Sequence, residues 1–371
     1  MSGHRFRLTT TEGRARSGTL VTAHGEVPTP FFMPVATAGS VRTLSTEELE
    51  ATGTRAIIAN SYSLLVRPGV EAVEEAGGLH EFIRWKGPIF TDSGGFQMVR
   101  KGFLVRKDDH SVVFRDHVRG DVRELTPEGV VEIQERLGAD VAMVLDDCPP
   151  AGADRDQVED ATRRTTLWAG RCLEAHGRKD QQLWAISQGG VLEDLRAAST
   201  RELVDLGFDG HGIGGLSIGE PVEEMWRTID GSIDLIPIDR PRYLMGVGSP
   251  KEVLDAISRG VDVFDSAFPT RNARHGTVMM RKGRFDITRG RMASDRGPLD
   301  PDCKCRVCRE VDRSYVHHLW RSKDTRWMNL LSFHNVHLMQ DLVSGARAAI
   351  EGGRYAEFVR EWERAGASST Q

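Results

Sequence analysis

The feature of this chain that most constrains its fold is a regular alternation of short apolar segments with helical ones. Seven segments are apolar at consecutive positions, rather than at every second position, which is typical of strands buried on both faces. They are TRAIIAN (54–60), GPIFTDSGG (87–95), ADVAMVLDD (139–147), QLWAISQGG (182–190), GFDGHGIGGLSIGE (207–220), PRYLMGVGS (241–249) and GVDVFDSAFPT (260–270). Strands that alternate with helices form a parallel sheet, and seven such units favour a closed (β/α)8 TIM barrel.

Signals for helix starts and helix ends fall between these strands. Ser45–Glu48 and Ser249–Glu252 have the spacing of capping boxes, and Thr126-Pro127 places a proline at a first helical position. Left-handed glycines are expected at three helix ends, namely Gly53, Gly138 and Gly260. A doubly wound sheet is the alternative architecture, but no G-x-G-x-x-G sequence follows the first strand, so the barrel is the predicted fold.

Two segments interrupt the alternation. Residues 18–34 (GTLVTAHGEVPTPFFMP) predict a hairpin before the first barrel strand, at the bottom of the barrel. Residues 99–126 form a long polar and basic excursion with a hairpin pattern, and no role is assigned to it. Because the loops that follow barrel strands lie at the catalytic face, we expect the excursion there.

Three of the five cysteines lie within six residues. Cys303, Cys305 and Cys308 form a C-x-C-x2-C cluster, and four histidines follow as candidate fourth ligands: His317, His318, His334 and His337. Zinc binds four thiolate or imidazole ligands in a tetrahedron, which this set supplies. Unrelated surface thiols or a redox pair are the alternatives. A zinc ion with four protein ligands has no position left for water, so we predict a structural site and expect the chemistry elsewhere.

Aspartates, a glutamine and two glycines lie where the predicted strands end. They are Asp92, Asp146, Asp147, Gln188, Gly214, Gly215 and Asp265. Barrel enzymes build their active sites at the carboxyl ends of several strands, so three strands are expected to bring carboxylates to one face. Cleavage of a glycosidic bond needs such a pair, because one carboxylate attacks or stabilises the anomeric carbon and the other transfers a proton to the leaving group. The alternative is that single aspartates cap the helices that follow them.

The charge of the chain is unevenly distributed. The 371 residues fit one large α/β domain with an appendage and carry a net charge of −5, yet fifteen Lys and Arg face seven Asp and Glu in residues 271–326. A basic field on an acidic protein is typical of a polyanion-binding face, although a solvated surface would have the same composition. No run of eighteen apolar residues or signal peptide is found, and the few cysteines suit a reducing compartment. We expect a cytoplasmic protein without membrane segments.

Seven motifs occur in the order found in one enzyme family. They are TDSGGFQ, LDDC, SQGG, GIGGLSIGEP, PRYLMGVG, VFDSAFPTRNAR and the cysteine cluster followed by SFHN. From about residue 18 to residue 352 the chain therefore resembles the bacterial tRNA-guanine transglycosylases of the queuine tRNA-ribosyltransferase family. The resemblance implies a barrel with its hairpin over 1–285, a zinc-binding insertion over 286–340, and a C-terminal helix and tail over 341–371. It also implies a homodimer that exchanges the wobble guanine of a tRNA anticodon for a 7-deazaguanine base without cutting the RNA.

The resemblance also assigns roles to single residues. Asp265 matches the nucleophile that attacks the ribose, and Asp92 matches the general acid/base for the departing and incoming bases. The residues that match the base pocket are Ser93, Phe96, Asp146, Cys148, Gln188, Gly214, Gly215, Leu216 and Met245. The residues that match contacts to the anticodon are Arg271 and Arg274, and those that match the zinc ligands are Cys303, Cys305, Cys308 and His334.

Departures from the family pattern leave the choice of base open. ANSYSL (59–64) replaces the commoner GNTYHL, and DDCPP (146–150) replaces DECTP. Ile218 should occupy the volume that the cyclopentenediol of queuine needs, whereas Glu220 can support a Leu216 carbonyl that faces an ammonium group. The predicted incoming base is therefore the aminomethyl precursor preQ1. The alternatives are a queuine-using enzyme, a non-catalytic RNA-binding homologue and a barrel glycoside hydrolase.

Overall fold

The computed structural model describes residues 5–95, 102–116 and 118–367. Its strands are β1 (Phe6–Glu12), β2 (Ala15–Thr22), β3 (Gly25–Thr29), β4 (Phe31–Pro34), β5 (Ile57–Asn60), β6 (Ile89–Asp92), β7 (Leu104–Lys107), β8 (Val112–Arg115), β9 (Val122–Leu125), β10 (Val141–Met143), β11 (Gln182–Ser187), β12 (Gly210–Ile213), β13 (Arg242–Leu244), β14 (Val263–Ser266), β15 (Thr277–Met280) and β16 (Gly283–Asp286).

Helices connect most of these strands. The α-helices of the described ranges are Thr46–Ala51, Ser61–Val66, Val70–Glu75, Leu79–Ile83, Pro127–Leu137, Arg155–Ala175, Glu193–Asp205, Val222–Ser232, Pro250–Ile257, Phe268–Arg274, Arg306–Glu310, Arg313–Arg321, Arg326–Glu351 and Tyr355–Ala367. Short 3-10 helices span Ile233–Leu235 and Gly290–Ser294. None of these helices is both long and apolar enough to cross a membrane.

Eight strands form one parallel sheet that closes on itself. The spatial order is β4-β14-β13-β12-β11-β10-β6-β5. The two ends of the sheet meet where Val35 pairs with Ile58 and where the Ala36 N–H donates to the Ile58 carbonyl at 2.7 Å. This arrangement confirms the predicted TIM barrel and excludes the doubly wound sheet. Each of the seven predicted segments supplies one barrel strand.

The eighth barrel strand, β4, lies inside the segment that was predicted to be only a hairpin, and there the prediction was wrong. Strands β2 and β3 do form an antiparallel pair, with β1 on its other side. The chain then enters the barrel at Phe31, which pairs in parallel with Val263. The physical reason is that the sequence FFMP is apolar throughout, and all four residues of β4 are buried.

The β1–β3 sheet covers the amino ends of the barrel strands. Arg16 in β2 donates from Nε and Nη2 to the two carboxylate oxygens of Asp262, at 2.8 and 2.9 Å, and Asp262 directly precedes β14. In the β2–β3 turn, His24 stacks on His80 with ring centroids 3.5 Å apart, and both rings contact the buried Asp140 carboxylate. These contacts hold the hairpin at the barrel bottom, as predicted.

A layer of aromatic rings fills the barrel interior. Its members come from alternate strands of the barrel, as is typical of this fold, and they are Phe31, Phe90, Trp184 and Tyr243. Neighbouring rings meet at steep angles with centroids between 5.2 and 6.4 Å apart. Edge-to-face contacts of this kind stabilise a core beyond the area they bury. The layer forms a packed floor below the carboxyl ends of the strands.

The excursion after β6 folds as an antiparallel sheet of three strands, β7, β8 and β9, rather than as a single hairpin. Because it follows the carboxyl end of β6, it lies at the catalytic face, as predicted. Phe114 of β8 packs edge-on against Tyr62, with ring centroids 5.2 Å apart. Trp168 of the helix Arg155–Ala175 donates from Nε1 to the Asp109 carbonyl at 3.0 Å, which anchors the β7–β8 turn.

Most of the predicted helix signals are present. Ser45 caps its helix in a reciprocal capping box, and Thr126 caps the helix that begins at Pro127. Ser249 accepts from the Glu252 N–H, but its hydroxyl donates to the Glu252 carboxylate at 2.6 Å, so the reciprocal half of that box does not form. The three glycines at helix ends have φ angles of 87°, 75° and 95°, at Gly53, Gly138 and Gly260.

The C-terminal part packs on the barrel through one long helix, Arg326–Glu351. Gln340 donates from Nε2 to the Phe32 carbonyl at 3.1 Å, which places the helix beside β4. Asn335 accepts the Met279 N–H on Oδ1 at 2.9 Å, which joins the helix to β15. The helix is continuous through residue 340, and the division of the chain at residues 285 and 340 remains a prediction.

Gly210 offers a test of the packed barrel floor. A Cβ atom at Gly210 would lie 2.4 Å from Cδ2 of the fully buried Trp184 and 2.9 Å from Cγ of Pro241. We expect Gly210→Ala to lower the free energy of unfolding by about 1–3 kcal/mol, measured by denaturant titration. Gly170→Ala is the control, because a Cβ there meets no atom within 4 Å and should not destabilise the helix. Equal stability of the two variants would contradict the prediction.

Candidate functional site

The carboxyl ends of the barrel strands surround a cavity of about 480 Å³. The predicted site residues that line it are Asp92, Ser93, Asp146, Cys148, Gly214, Gly215, Leu216, Met245, Asp265 and Arg271. Gln188 is fully buried and hydrogen-bonds to Asp146. Phe96 lies outside the described residues. The structure therefore brings carboxylates from three separate strands to one cavity.

Asp265 in β14 is held by two donors on the same carboxylate oxygen. The Tyr243 hydroxyl donates to Oδ1 at 2.6 Å, and the Gly246 N–H donates to it at 2.8 Å. Burial raises the pKa of Asp265, and the two hydrogen bonds oppose that rise. Burial and the Asp265 charge also raise the pKa of Tyr243 well above its ordinary value, so its hydroxyl stays a donor. The Oδ2 atom of Asp265 accepts no hydrogen bond from the described residues and is available to a ligand.

Asp92 ends β6, which is separated from β14 by β4 and β5 in the barrel. Asn60 donates from Nδ2 to Oδ1 of Asp92 at 2.6 Å, and Oδ1 of Asn60 accepts the Ser63 N–H at 2.7 Å, which orients the amide. Burial raises the pKa of Asp92 to about 7, and the negative charges of Asp265 and Asp146 add to the rise. A carboxyl group that titrates near neutral pH can both donate and accept a proton during a reaction.

Asp146 follows β10 and is bound by neutral side chains. Gln188 donates from Nε2 to Oδ2 at 2.7 Å, and the Ser93 hydroxyl donates to Oδ1 at 3.4 Å. Burial raises the pKa of Asp146 to about 6, and the neighbouring Asp147 adds to the rise. The buried Oε1 of Gln188 has no donor in the described part of the chain, and Gly215 must lack a side chain there because a Cβ would lie 2.3 Å away. These acceptors suit a ligand that presents N–H groups.

The turn after β12 forms another part of the cavity wall. The Glu220 carboxylate accepts the backbone N–H of Ser217, and also those of Ile218 and Gly219 at 3.0 and 3.2 Å. Because the N–H and C=O of a trans peptide point in opposite directions, the Leu216 carbonyl points away from Glu220. A carboxylate thus fixes the orientation of the peptide that borders the cavity.

Asp147 was predicted together with the other polar strand ends, but it does not line the cavity. Its buried carboxylate binds Lys107 and Arg164, both at 2.6 Å. Neither cation lines the cavity, so these ion pairs hold the Asp147 side chain away from it, whereas Asp146 faces it.

Two residues that hold the reactive groups were not predicted to do so, namely Tyr243 and Asn60. Tyr243 lies two positions before Met245, and the period of two along a strand would have placed both on the inner face. Asn60 ends β5 beside Asp92 on β6, and the two residues are directly paired in the sheet. Once the strand order is known, the pairing of β5 with β6 places Asn60 beside Asp92.

Arg271 and Arg274, the two arginines predicted to contact the anticodon, differ in their position relative to the cavity. Arg271 is exposed and lines it, whereas Arg274 is half-buried and does not. Burial lowers the pKa of Arg274, and the positive charges of Arg42 and Arg271 lower it further. The Nη1 atom of Arg274 is buried and has no acceptor among the residues described. The positive charges of Arg42, Arg271 and Arg274 and the unpaired Nη1 donor of Arg274 favour the binding of an anion beside Arg274.

The cysteine cluster meets His334 of the long C-terminal helix, so the candidate metal site has Cys303, Cys305, Cys308 and His334 as ligands. The ligand atoms lie within 4.8 Å of one another, and Nδ1 of His334 is 3.6 and 3.2 Å from the sulfurs of Cys305 and Cys308. Nε2 of His334 donates to the Met279 carbonyl at 2.7 Å, which leaves Nδ1 free to bind a metal. The other three candidate histidines are not part of this group.

Comparison with known proteins gives a consistent result. A family model described as queuine tRNA-ribosyltransferase matches residues 11–368. The chain is similar to the queuine tRNA-ribosyltransferases of Nitratidesulfovibrio vulgaris (49% identical over 360 residues, 96% of each chain) and Desulforudis audaxviator (50% over 350 residues, 94% of each chain). It is 46% identical over 364 residues to that of a Thermus thermophilus strain, covering 98% of this chain and 94% of the relative. The chain belongs to the queuine tRNA-ribosyltransferase family, as its ordered motifs predicted.

Proposed function

We propose that this protein is a tRNA-guanine transglycosylase, which replaces the wobble guanine of a tRNA anticodon by a 7-deazaguanine base through a covalent bond between Asp265 and the ribose. The observation that carries the proposal is the convergence of Asp92, Asp146 and Asp265 on one cavity of about 480 Å³. Enzymes that modify a base within a folded RNA take it out of its stack, and the cavity is large enough for one purine.

In the first half of the reaction, Oδ2 of Asp265 attacks C1′ of the ribose and the bond from C1′ to N9 of guanine breaks. The electron pair of that bond passes to the base, and Asp92 supplies the proton that neutralises it. Tyr243 and Gly246 hold Asp265 by its other oxygen, so the attacking oxygen stays free. A pKa of about 7 leaves a large fraction of Asp92 protonated at neutral pH, as this step requires.

In the second half, the new base enters the same pocket with a proton on N9. Asp92, now ionised, accepts that proton while N9 attacks C1′ and displaces the Asp265 carboxylate. Asp146 accepts hydrogen bonds from the N–H groups on the guanine-type edge of both bases. The second hydrogen on Nε2 of Gln188, whose first is donated to Asp146, and the Gly215 N–H hold the base carbonyl. The protein therefore returns to its starting protonation state after each exchange.

The incoming base in this proposal is preQ1. Glu220 binds the Ser217 N–H, so the Leu216 carbonyl points away from Glu220 and can accept a hydrogen bond from the aminomethyl group. Ile218 and Cys148 line the same cavity and restrict a bulkier 7-substituent. A queuine-using enzyme would need more volume at Ile218. A glycoside hydrolase would not need the buried acceptors of Asp146 and Gln188, which suit the N–H groups of a purine. A non-catalytic RNA-binding protein would not need the two carboxylates of Asp92 and Asp265.

The basic patch beside the cavity is the proposed contact for the tRNA anticodon stem-loop. Arg271 and Arg274 begin the basic segment 271–326, which carries the excess of Lys and Arg, and Arg271 lines the cavity. Arginines bind phosphate through several donors at once, and the unused Nη1 of Arg274 is one of these. The homodimer remains a prediction from the resemblance.

The metal in the Cys303, Cys305, Cys308 and His334 site is proposed to be zinc with a structural role. Three thiolates and one imidazole in a closed group are the preferred ligands of structural zinc. The ion would join the cysteine segment to the helix Arg326–Glu351, which packs on the barrel beside β4. It would supply no chemistry at the base pocket.

Asp265→Asn should abolish the exchange of labelled guanine into tRNA while tRNA binding persists. An amide is a poor nucleophile but keeps the shape of the carboxylate and can still accept from Tyr243. Turnover should fall by at least about a thousandfold, because covalent catalysis is lost. Asp255→Asn is the control, because the half-buried Asp255 pairs with Lys251 and does not line the cavity, and it should exchange guanine as the parent protein does. Turnover of Asp265→Asn at the parental rate would refute the assignment of the nucleophile.

Cys305→Ser should lose the bound zinc and lower the melting temperature, because zinc binding contributes to folding. Elemental analysis and thermal unfolding measure the two effects. Cys172→Ala is the control, since Cys172 is buried in the helix Arg155–Ala175 and is not part of the metal group. Parent protein without zinc, or Cys305→Ser with unchanged metal content and stability, would contradict the proposed site.

A further inference from the structure

The carboxylate of Asp147 is fully buried directly beside the base pocket and yet faces away from it. It lies between two cations from different parts of the fold. Nζ of Lys107, at the end of β7, is 2.6 Å from Oδ1, and Nη1 of Arg164, in the helix Arg155–Ala175, is 2.6 Å from Oδ2. The backbone is fixed as well, because the Asp147 N–H donates to Oγ1 of Thr165 at 2.9 Å.

These ion pairs belong to a larger group that is neutral as a whole. Arg164 also binds Asp160. Arg163 binds Asp109 in the β7–β8 turn, with Nη2 at 2.6 Å from Oδ1 and Nη1 at 3.0 Å from Oδ2. Three cations therefore balance three carboxylates, and the members are Lys107, Arg163, Arg164, Asp109, Asp147 and Asp160. The excursion sheet is attached to the barrel by this group, and Lys107 is the member that β7 contributes, with 27% of its side chain exposed.

Asp147 is adjacent in the chain to Asp146, the carboxylate that contacts the base in the proposed function. The ion pairs of Asp147 and the hydrogen bond from its backbone N–H fix the position of Asp147 outside the cavity. The adjacent residue, Asp146, is therefore held facing the cavity. The charge of Asp147 also acts on Asp146, whose pKa is raised mainly by burial and further by Asp147. Lys107 and Arg164 offset that charge from the outer side.

We propose that Asp147, clamped between Lys107 of the excursion sheet and Arg164 of the barrel, is a positioning residue that sets the orientation and ionisation of Asp146 and so links base binding to the excursion sheet. This inference rests on the proposed function, because it takes Asp146 as the group that binds the base. It gives the excursion a role: Lys107 offsets a buried charge that would otherwise act on the base pocket.

Several other ionisable groups face this pair. Asp92 and Cys148 lie with Asp146 on the cavity wall, and the buried Arg196 lies behind them, near Cys148 and Glu220. Neither substitution replaces any of these side chains, and the pKa of Cys148, raised to about 12 mainly by burial, keeps its thiol neutral between pH 5 and 8. Arg164 also remains in both substitutions, so in Lys107→Met the Asp147 carboxylate keeps one cationic partner at 2.6 Å.

Two substitutions that break the same ion pair should have opposite effects on the pH dependence of base binding. The affinity for preQ1, measured by calorimetry between pH 5 and 8, should fall in the parent as the pH drops through about 6, where Asp146 becomes protonated. Asp147→Asn removes a negative charge and should move this midpoint to lower pH. Lys107→Met leaves that charge less compensated and should move it to higher pH. Each shift should be about half a pH unit or more.

The double variant Lys107→Met/Asp147→Asn loses one charge of each sign, so its midpoint should lie between the midpoints of the two single variants. Lys251→Met removes a more exposed Lys–Asp pair away from the cavity, with 2.9 Å between its charged atoms, and should leave the midpoint unchanged. If Asp147→Asn does not fold, Lys107→Met alone must still raise the midpoint. Midpoints that stay in place, or move in the same direction in both single variants, would overturn the inference while the parent still binds preQ1. A parent protein that does not bind preQ1 would overturn the proposed base and this inference together.

Discussion

The structure depends on keeping three carboxylates within one barrel mouth, where water is largely replaced by protein. Burial favours the protonated form of such groups, and the negative charges of neighbouring aspartates raise the pKa of Asp92 and Asp146 further. Each of the three carboxylates accepts a hydrogen bond from a neutral side chain. Asp265 accepts from the Tyr243 hydroxyl, Asp92 from the Asn60 amide and Asp146 from the Gln188 amide. A neutral donor fixes a carboxylate in place without the large fall in pKa that an adjacent cation would cause. Asp92 and Asp146, with pKa values raised to about 7 and about 6, can therefore exchange protons near neutral pH.

Carboxylates outside the pocket have a different kind of partner. Asp262 at the barrel bottom is bound by Arg16, and Asp147 behind the base pocket is bound by Lys107 and Arg164. Ion pairs of this kind join separate segments: the N-terminal hairpin in the first case and the excursion sheet in the second. The reactive aspartates are therefore bound by neutral donors, whereas Asp262 and Asp147, which hold segments of the fold together, are bound by cations.

Much of this arrangement could be predicted from the chain alone. Apolar segments that end in Asp92, Asp146 and Asp265 place three carboxylates at one face of a barrel, and the ordered motifs indicate the family. Strand β4 was missed because its four apolar residues directly follow a hairpin. Asp147 was misplaced because a run of two aspartates does not tell which one faces inward. The donors to the reactive carboxylates lie on neighbouring strands, and such partners become visible only when the strand order is known.

The most direct test is to trap the covalent intermediate and locate it. Protein incubated with tRNA and a poorly departing purine should form an adduct that survives denaturation, and mass spectrometry of its peptides should find the ribose on Asp265. Linkage through this residue would agree with the free Oδ2 atom and the two donors on Oδ1. Attachment to Asp92 or Asp146, or exchange of guanine with no adduct at any aspartate, would contradict the assignment of the three carboxylates.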